Sequence, residues 1–238
     1  MTKLLTTILA SGILFATTVA WSADHGAAKQ EERLQEAHEV FHQIMNTPDK
    51  GIPQDLLERS ACIGIIPSVK KVAFLVGGSH GSGYVMCRKN GTGSWGPPSG
   101  FSMSGGSFGL QIGASATDFV LLFMNRDGMR KLLEDKFTLG ADASVAAGPV
   151  GRTAAANTDA QMTAKVLSYS RSKGVFAGIA LDGAVLRPSP DDNRALYGRT
   201  VSPKELLLDG NVPPPASART LLQTLDRYSP RTQAKETR

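Results

Sequence analysis

Apolar positions along the first third of the chain recur at helical spacing and then switch to strand spacing. In residues 31–46 (EERLQEAHEVFHQIMN), Leu34, Ala37, Phe41, Ile44 and Met45 share one face, which predicts an amphipathic helix. Asp49-Lys50-Gly51 breaks it, and Pro53 opens a short second helix, PQDLLERS. A strand is expected from Ala61 to Ile66, stopped by Pro67, with VAFLVGG and Gly83–Arg88 as further strands and Asn90-Gly91 as a turn. Residues 101–116 alternate once past Gly106: Phe108, Leu110, Ile112, Ala114 and Ala116 fall on one face, and Gly105-Gly106 is the expected site of a bulge. Residues 119–124 are apolar throughout and suit a strand buried on both faces. A helix is expected over 127–136 and an alternating strand over 137–147, ended by Gly148-Pro149. The last strands fall at 166–169 and 175–186, followed by two short helices, the second capped by Ser202 with Pro203. A VPPPA linker, an amphipathic stretch around Leu221, Leu222 and Leu225, and a disordered tail complete the order. The sum is an α+β fold: a curved or barrel-like antiparallel β-sheet with flanking helices.

Composition sharpens this picture. Glycine is frequent, at 25 residues, and aromatics make up only 6% of the chain, which suits tightly packed, curved sheet better than a helix bundle. Before the first helix, Lys3 precedes an uncharged apolar run from Leu4 to Ala20 that is shorter than a bilayer span needs. This reads as a signal peptide over residues 1–23, cleaved after Ala20 or Ala23, and implies an exported protein, periplasmic or secreted. Its removal takes away Lys3 and leaves 25 basic against 21 acidic residues. That mild excess permits attraction to a polyanion without requiring it, and no dense basic cluster with interleaved aromatics points to nucleic acid. The two cysteines, Cys62 and Cys87, are in an oxidising compartment either a bridge or two buried thiols.

Three short motifs suggest chemistry. His38-Glu39-Val40-Phe41-His42 has the H-E-x-x-H spacing of a zinc-protease helix, which makes a zinc-dependent hydrolase the alternative reading. The motif lies close to the start of the mature chain, however, and no third histidine follows at the expected distance. Ser79 and Ser107 stand in G-x-S-x-G strings, but neither string opens a helix and no triad partner follows in order. Gly91, Gly93 and Gly96 precede two prolines instead of a helix, so they read as a hairpin loop. No catalytic residue, metal ligand set or cofactor is expected from these patterns.

Basic residues cluster near strand ends: Lys70 with Lys71, Arg88 with Lys89, and Arg171 with Lys173. The ordered series IPQDLLERSACIGIIPSVKKVAFLVGG, GSGYVMCRKNGTGSWGPPSGFSMSGGSFGLQIGASATDFVLLFMN, LGADASVAAGPVGR, YSRSKGVFAGIALDGAVL and ALYGRTVSPKELL resembles the SYLF-domain family, in the form of a bacterial exported member. The resemblance covers residues 31–208. It leaves a loose segment at 24–30 and a linker, short helix and tail at 209–238. It implies a non-catalytic module that binds anionic, phosphoinositide-like phospholipid headgroups at a membrane surface. Within the matching motifs the candidate binding residues are Lys70, Lys71, Arg88, Arg152, Arg171 and Lys173. Actin, a partner of eukaryotic members, is not expected for an exported chain. A protein-binding envelope scaffold is a further alternative. Lipid contact could run through these cations or through the apolar face of the first helix at Leu34, Phe41 and Ile44.

Overall fold

The computed structural model describes residues 14–47, 51–74, 76–89, 93–108, 113–125, 130–151 and 163–230. Helix α1 (Leu14–Met45) is followed by α2 (Gln54–Arg59) and by four strands: β1 (Cys62–Phe74), β2 (Val76–Cys87), β3 (Ser99–Phe108) and β4 (Gly113–Phe123). Five shorter strands follow: β5 (Phe137–Thr138), β6 (Val145–Ala147), β7 (Val166–Ser172), β8 (Val175–Gly178) and β9 (Val185–Pro188). Helix α3 (Pro190–Tyr197), a π-turn (Glu205–Asp209), a 3-10 turn (Ala216–Ala218) and α4 (Arg219–Tyr228) close the chain. The strands form one strongly curled half-barrel sheet in the order β5-β9-β3-β2-β1-β4-β7-β6, with β8 paired to β7. All pairs are antiparallel except β6 with β7, which run parallel. Among the described residues no helix is long and apolar enough to cross a bilayer.

The apolar run in β4 explains the two-sided core. Val120 and Leu122 point into a cluster with Ile63, Ile65, Tyr84 and Tyr169, which α1 and α4 cover. Leu121 and Phe123 point into a second cluster with Cys62, Ile66, Val69 and Phe101, closed by β5, β9 and the π-turn. Leu34, Phe41 and Ile44 are 1%, 0% and 1% exposed, so the apolar face of α1 is spent on covering the sheet. Burying side chains of that size contributes on the order of 1.5–3 kcal/mol each.

The structure moves several expected boundaries. Residues 24–30 are helical rather than loose, because Gln30 is a buried anchor: its side-chain amide donates to Asp192, and its carbonyl and side-chain oxygen accept from the Tyr84 hydroxyl at 3.0 and 2.8 Å. Pro67 does not end β1. The irregularity expected at Gly105-Gly106 is absent, since the β2–β3 register runs unbroken from Val76↔Phe108 to Val85↔Ser99. It lies in β1 instead. From Ile65 to Lys70 β1 advances five positions while β2 advances four, Tyr84 to His80, and β4 likewise lags by one between Ile66 and Val69. Ser68 takes φ 52°, a left-handed conformation uncommon for a side-chain-bearing residue. Asp118 holds it there: Oδ1 accepts from the Ser68 N–H at 2.9 Å, while Oδ2 pairs with Arg171 at 2.8 Å. The strand expected over 137–147 is interrupted by a turn at residues 140–142, and β8 and β9 are two strands where one run was expected. The helix expected over 127–136 is helical at 130–132, and its start lies outside the described residues, as does the Asn90-Gly91 turn.

Cys62 and Cys87 sit opposite one another in β1 and β2 and form a disulfide, with no free cysteine in the described chain. Next to it, Arg88 is 2% exposed and serves as a buried tie. Its guanidinium donates to the carbonyls of Leu57, Ser60, Gly93 and Ser229 and lies 4.3 Å from the centre of the Trp95 ring. Trp95 Nε1 donates to the Ser229 hydroxyl, so the C-terminal end of α4 is fastened to the same point.

Two stability experiments follow from these contacts. Asp118→Ala frees the Ser68 N–H and strips Arg171 of its partner, so urea unfolding should show a loss of about 2–3 kcal/mol. Ser68→Gly, which suits the positive φ, should stay within about 1 kcal/mol of the parent. Replacing both cysteines by alanine removes a bridge spanning 25 residues. That should cost about 3 kcal/mol by loop entropy, and thiol counting on the denatured, unreduced parent should find no free thiol.

Candidate functional site

The inserted residue in β1 decides which side chains face α1. Before the break Ile63 and Ile65 lie on the α1 side, and Ile66 lies on the other. An unbroken strand would put Val69 with Ile65. The extra residue reverses the alternation, so Val69 joins Ile66 in the second core and Lys70 turns to the α1 side. Its register partners His80 and Ala116 share that side. The α1-facing layer therefore changes from apolar (Ile65, Tyr84, Val120, Tyr169) to polar (Ser82, Asp118, Arg171) and then to exposed cation (Lys70) along the strands.

One flank of α1 faces this polar end. Lys29, Glu32, Arg33 and Glu36 follow helical spacing and, with Pro67, Ser68, Lys70, His80, Gly81 and Ser82, line a groove of ≈ 390 Å³. Arg33 is held at the rim by Asp192, at 3.1 Å, and by the Gln30 side-chain oxygen, at 2.9 Å. Among the described residues Lys29 and Lys70 make no ion pair. The groove thus offers two unpaired ammonium groups, an imidazole and two serine hydroxyls, with two carboxylates on the α1 wall beside Lys29. Such a set can bind a phosphate through the cations while the carboxylates accept from hydroxyl or amine groups on the same ligand.

The sequence candidates separate on this frame. Lys70 lines the groove. Lys71, one residue on, turns to the opposite face and is half-buried, so the two lysines do not act as a pair. Arg88 is enclosed and committed to four carbonyls, which removes it from any surface site. Arg171 is tied to Asp118 and to the Gln43 side chain of α1 and serves the framework. Lys173 is exposed at the β7–β8 turn. Arg152 lies outside the described residues. Lys29, Arg33 and His80 escaped the sequence reading. The spacing of Lys29, Arg33 and Glu36 along α1 was the available signal, but nothing local told which flank would meet the sheet.

The H-E-x-x-H histidines lie at the seam between α1 and α4. His38 Nε2 is 3.1 Å from the Thr224 hydroxyl, and the His42 ring meets Asn46, whose side-chain oxygen accepts from Tyr228 at 2.6 Å. Among the described residues no three His, Cys, Asp or Glu side chains converge as a metal site. Ser79 lies within β2, and Ser107 within β3, neither at a strand-to-helix turn.

Residues 104–228 match the Ysc84 family, described as Las17-binding protein actin regulator. LAS seventeen-binding protein 3 of Saccharomyces cerevisiae is 37% identical over 182 residues, which are 75% of this chain and 39% of that protein. SH3 domain-containing protein PJ696.02 of Schizosaccharomyces pombe is 38% identical over 178 residues, 74% of this chain and 41% of its own. Human SH3 domain-containing YSC84-like protein 1 is 32% identical over 204 residues, 85% of this chain and 58% of its own. The chain therefore spans between about two fifths and three fifths of the length of these relatives.

The histidine seam makes stability depend on pH. Burial, and then the neighbouring His42, lower the His38 pKa from its ordinary 6.5. The folded state thus favours neutral His38. The unfolded chain binds more protons, so this contribution is whole above about pH 6.5 and is lost as pH falls through the lowered folded value. Urea midpoints at pH 7.5 and 5.0 should differ in the parent. The gap should narrow in His38→Gln, which keeps a polar partner for Thr224.

Proposed function

The chain belongs to the Ysc84 family of SYLF domains, and from that membership we propose that it is a non-catalytic module that binds anionic phospholipid headgroups at the surface of an envelope membrane. Family members are lipid- and actin-binding modules. The observation that carries the reading is the groove between α1 and the polar end of β1–β2, where Lys29, Lys70 and His80 surround a space of headgroup size. A phosphodiester is attracted there by two ammonium groups, each worth about 1 kcal/mol near an anionic surface. Glu32 and Glu36, on the α1 wall beside Lys29, favour a headgroup with hydroxyls or an amine over bare phosphate.

Residues 31–208 form the binding domain in this reading, preceded by a signal peptide over 1–23. Three features support export: the apolar N-terminal run behind Lys3, the small residues that follow it, and a disulfide of the kind that persists in oxidising compartments. An exported chain does not meet actin, so the actin regulation in the family description is not carried over.

Co-sedimentation of the mature protein with vesicles tests the reading. Phosphatidylglycerol vesicles should bind it at 0.1 M salt, pure phosphatidylcholine vesicles should bind weakly, and the difference should shrink as salt screens the exposed charges. Changing Lys29 and Lys70 together to alanine should weaken binding about thirtyfold with little loss of stability. Equal binding of both vesicle types, or of the double variant and the parent, would refute the headgroup site.

A further inference from the structure

The β7–β8 hairpin presents an apolar row that stands exposed among the described residues. Its turn is Lys173-Gly174, with φ 49° and 79°. In β8, Phe176 and Gly178 face α1: Phe176 stacks on Tyr169 with ring centres 5.5 Å apart, and Gly178 lies against the backbone of Gly148 so closely that a Cβ there would come within 2.0 Å of its carbonyl oxygen. The alternate positions, Val175, Ala177 and Ile179, therefore stand together on the opposite face. Val175 is 70% exposed and Ile179 37%, and they are the exposed large hydrophobic residues among those described. Residues 174–181 (GVFAGIAL) carry no charge. The stacked rings and the Gly148 contact hold this strand from within, so the row is displayed by a fixed framework.

The hairpin is also joined to the groove by register. One line across the sheet runs from His80 to Lys70 to Ala116, and two residues beyond the Asp118↔Arg171 pair the chain reaches Lys173. Lys173 thus stands at the same end of the sheet as the groove cations, beside the apolar row. We propose that this hairpin is the edge by which the domain enters a lipid surface: Val175 and Ile179 sink into the boundary of the acyl chains, and Lys173 stays at the level of the phosphates. The inference rests on the headgroup reading and adds a second contact to it. The chemistry fits an anionic bilayer because a cation flanks an apolar wedge, the arrangement of an interfacial anchor. A second copy of the chain fits less well. Two large side chains and an alanine fall far short of the ~800 Å² per partner that a stable protein interface buries.

The test uses the mature, full chain and vesicles of phosphatidylglycerol in phosphatidylcholine. Val175→Ser with Ile179→Ser removes the wedge without adding charge. It should lower vesicle binding at least tenfold, most visibly at high salt, and leave the urea transition unchanged. Val175→Trp should gain emission that shifts to the blue on vesicles and is quenched by brominated acyl chains, over the background of the parent. If the parent binds and the serine variant binds equally, or the new tryptophan is not quenched, the hairpin is not the lipid edge although the headgroup site stands. A concentration-dependent dimer that the serine variant loses while keeping vesicle binding gives the row to a second copy and overturns the proposal. A parent that binds no vesicle removes the headgroup reading and this one with it.

Discussion

The fold turns on one backbone hydrogen bond, from Ser68 to the Asp118 carboxylate. A strand has a side-chain period of two, so inserting one residue sends every later side chain to the other face. Without the break, Val69 would face the α1 flank and Lys70 would be driven into the second core among Ile66 and Phe101. An uncompensated lysine in such a place is costly to bury, whereas an extra residue in a left-handed conformation costs on the order of 1–3 kcal/mol. Asp118 offsets that cost and is itself neutralised by Arg171, which also reaches Gln43 on α1. One carboxylate thereby fixes the register of three strands and the position of the helix that covers them.

That helix presents an apolar and a charged face, and the division limits how the domain could meet a membrane. The stripe of Leu34, Phe41 and Ile44 lies in the core. Using it as an interfacial anchor would expose the cluster around Ile63, Ile65 and Tyr84, at a cost of several buried side chains. The sequence offers that helix as a membrane anchor because amphipathicity reads the same whether the apolar face meets lipid or a sheet. Packing resolves the ambiguity. What remains for an outer ligand is the charged flank of α1 and whatever the sheet leaves uncovered.

Architecture was legible in the chain wherever a pattern was long. The uniform apolar run at 119–124 gave a strand buried on both faces, and Ser202 with Pro203 gave a helix start, where the structure adds mutual bonds between Ser202 and Glu205. Positions fixed by tertiary contact were not legible. Gly105-Gly106 looked like the bulge because glycine permits one, yet the ladder passes through it without a shift; the bulge sits at Pro67-Ser68, where a distant aspartate stabilises it. The basic pairs failed for a related reason. Adjacent residues on a strand face opposite ways, which splits Lys70 from Lys71. Arg88 looks like a surface cation until the four carbonyls that enclose it are counted.

The fates of Arg88, Arg171 and Lys70 follow from side-chain chemistry as much as from position. Arginine carries five donors in a planar fork, so it can be buried where several carbonyls or a carboxylate converge. Arg88 and Arg171 occupy such places, and each ties together segments far apart in sequence: Arg88 joins α2 to the end of α4, and Arg171 joins β7 to β4 and α1. Lysine is a strongly hydrated point charge on a flexible stem, poorly suited to a buried fork and well suited to a mobile anionic ligand. Lys29, Lys70 and Lys173, none of them in an ion pair among the described residues, are accordingly among the cations that could leave water for a phosphate. A lipid surface approached through them would meet diffuse, salt-sensitive attraction first, and only contact with an apolar group could then lengthen the stay.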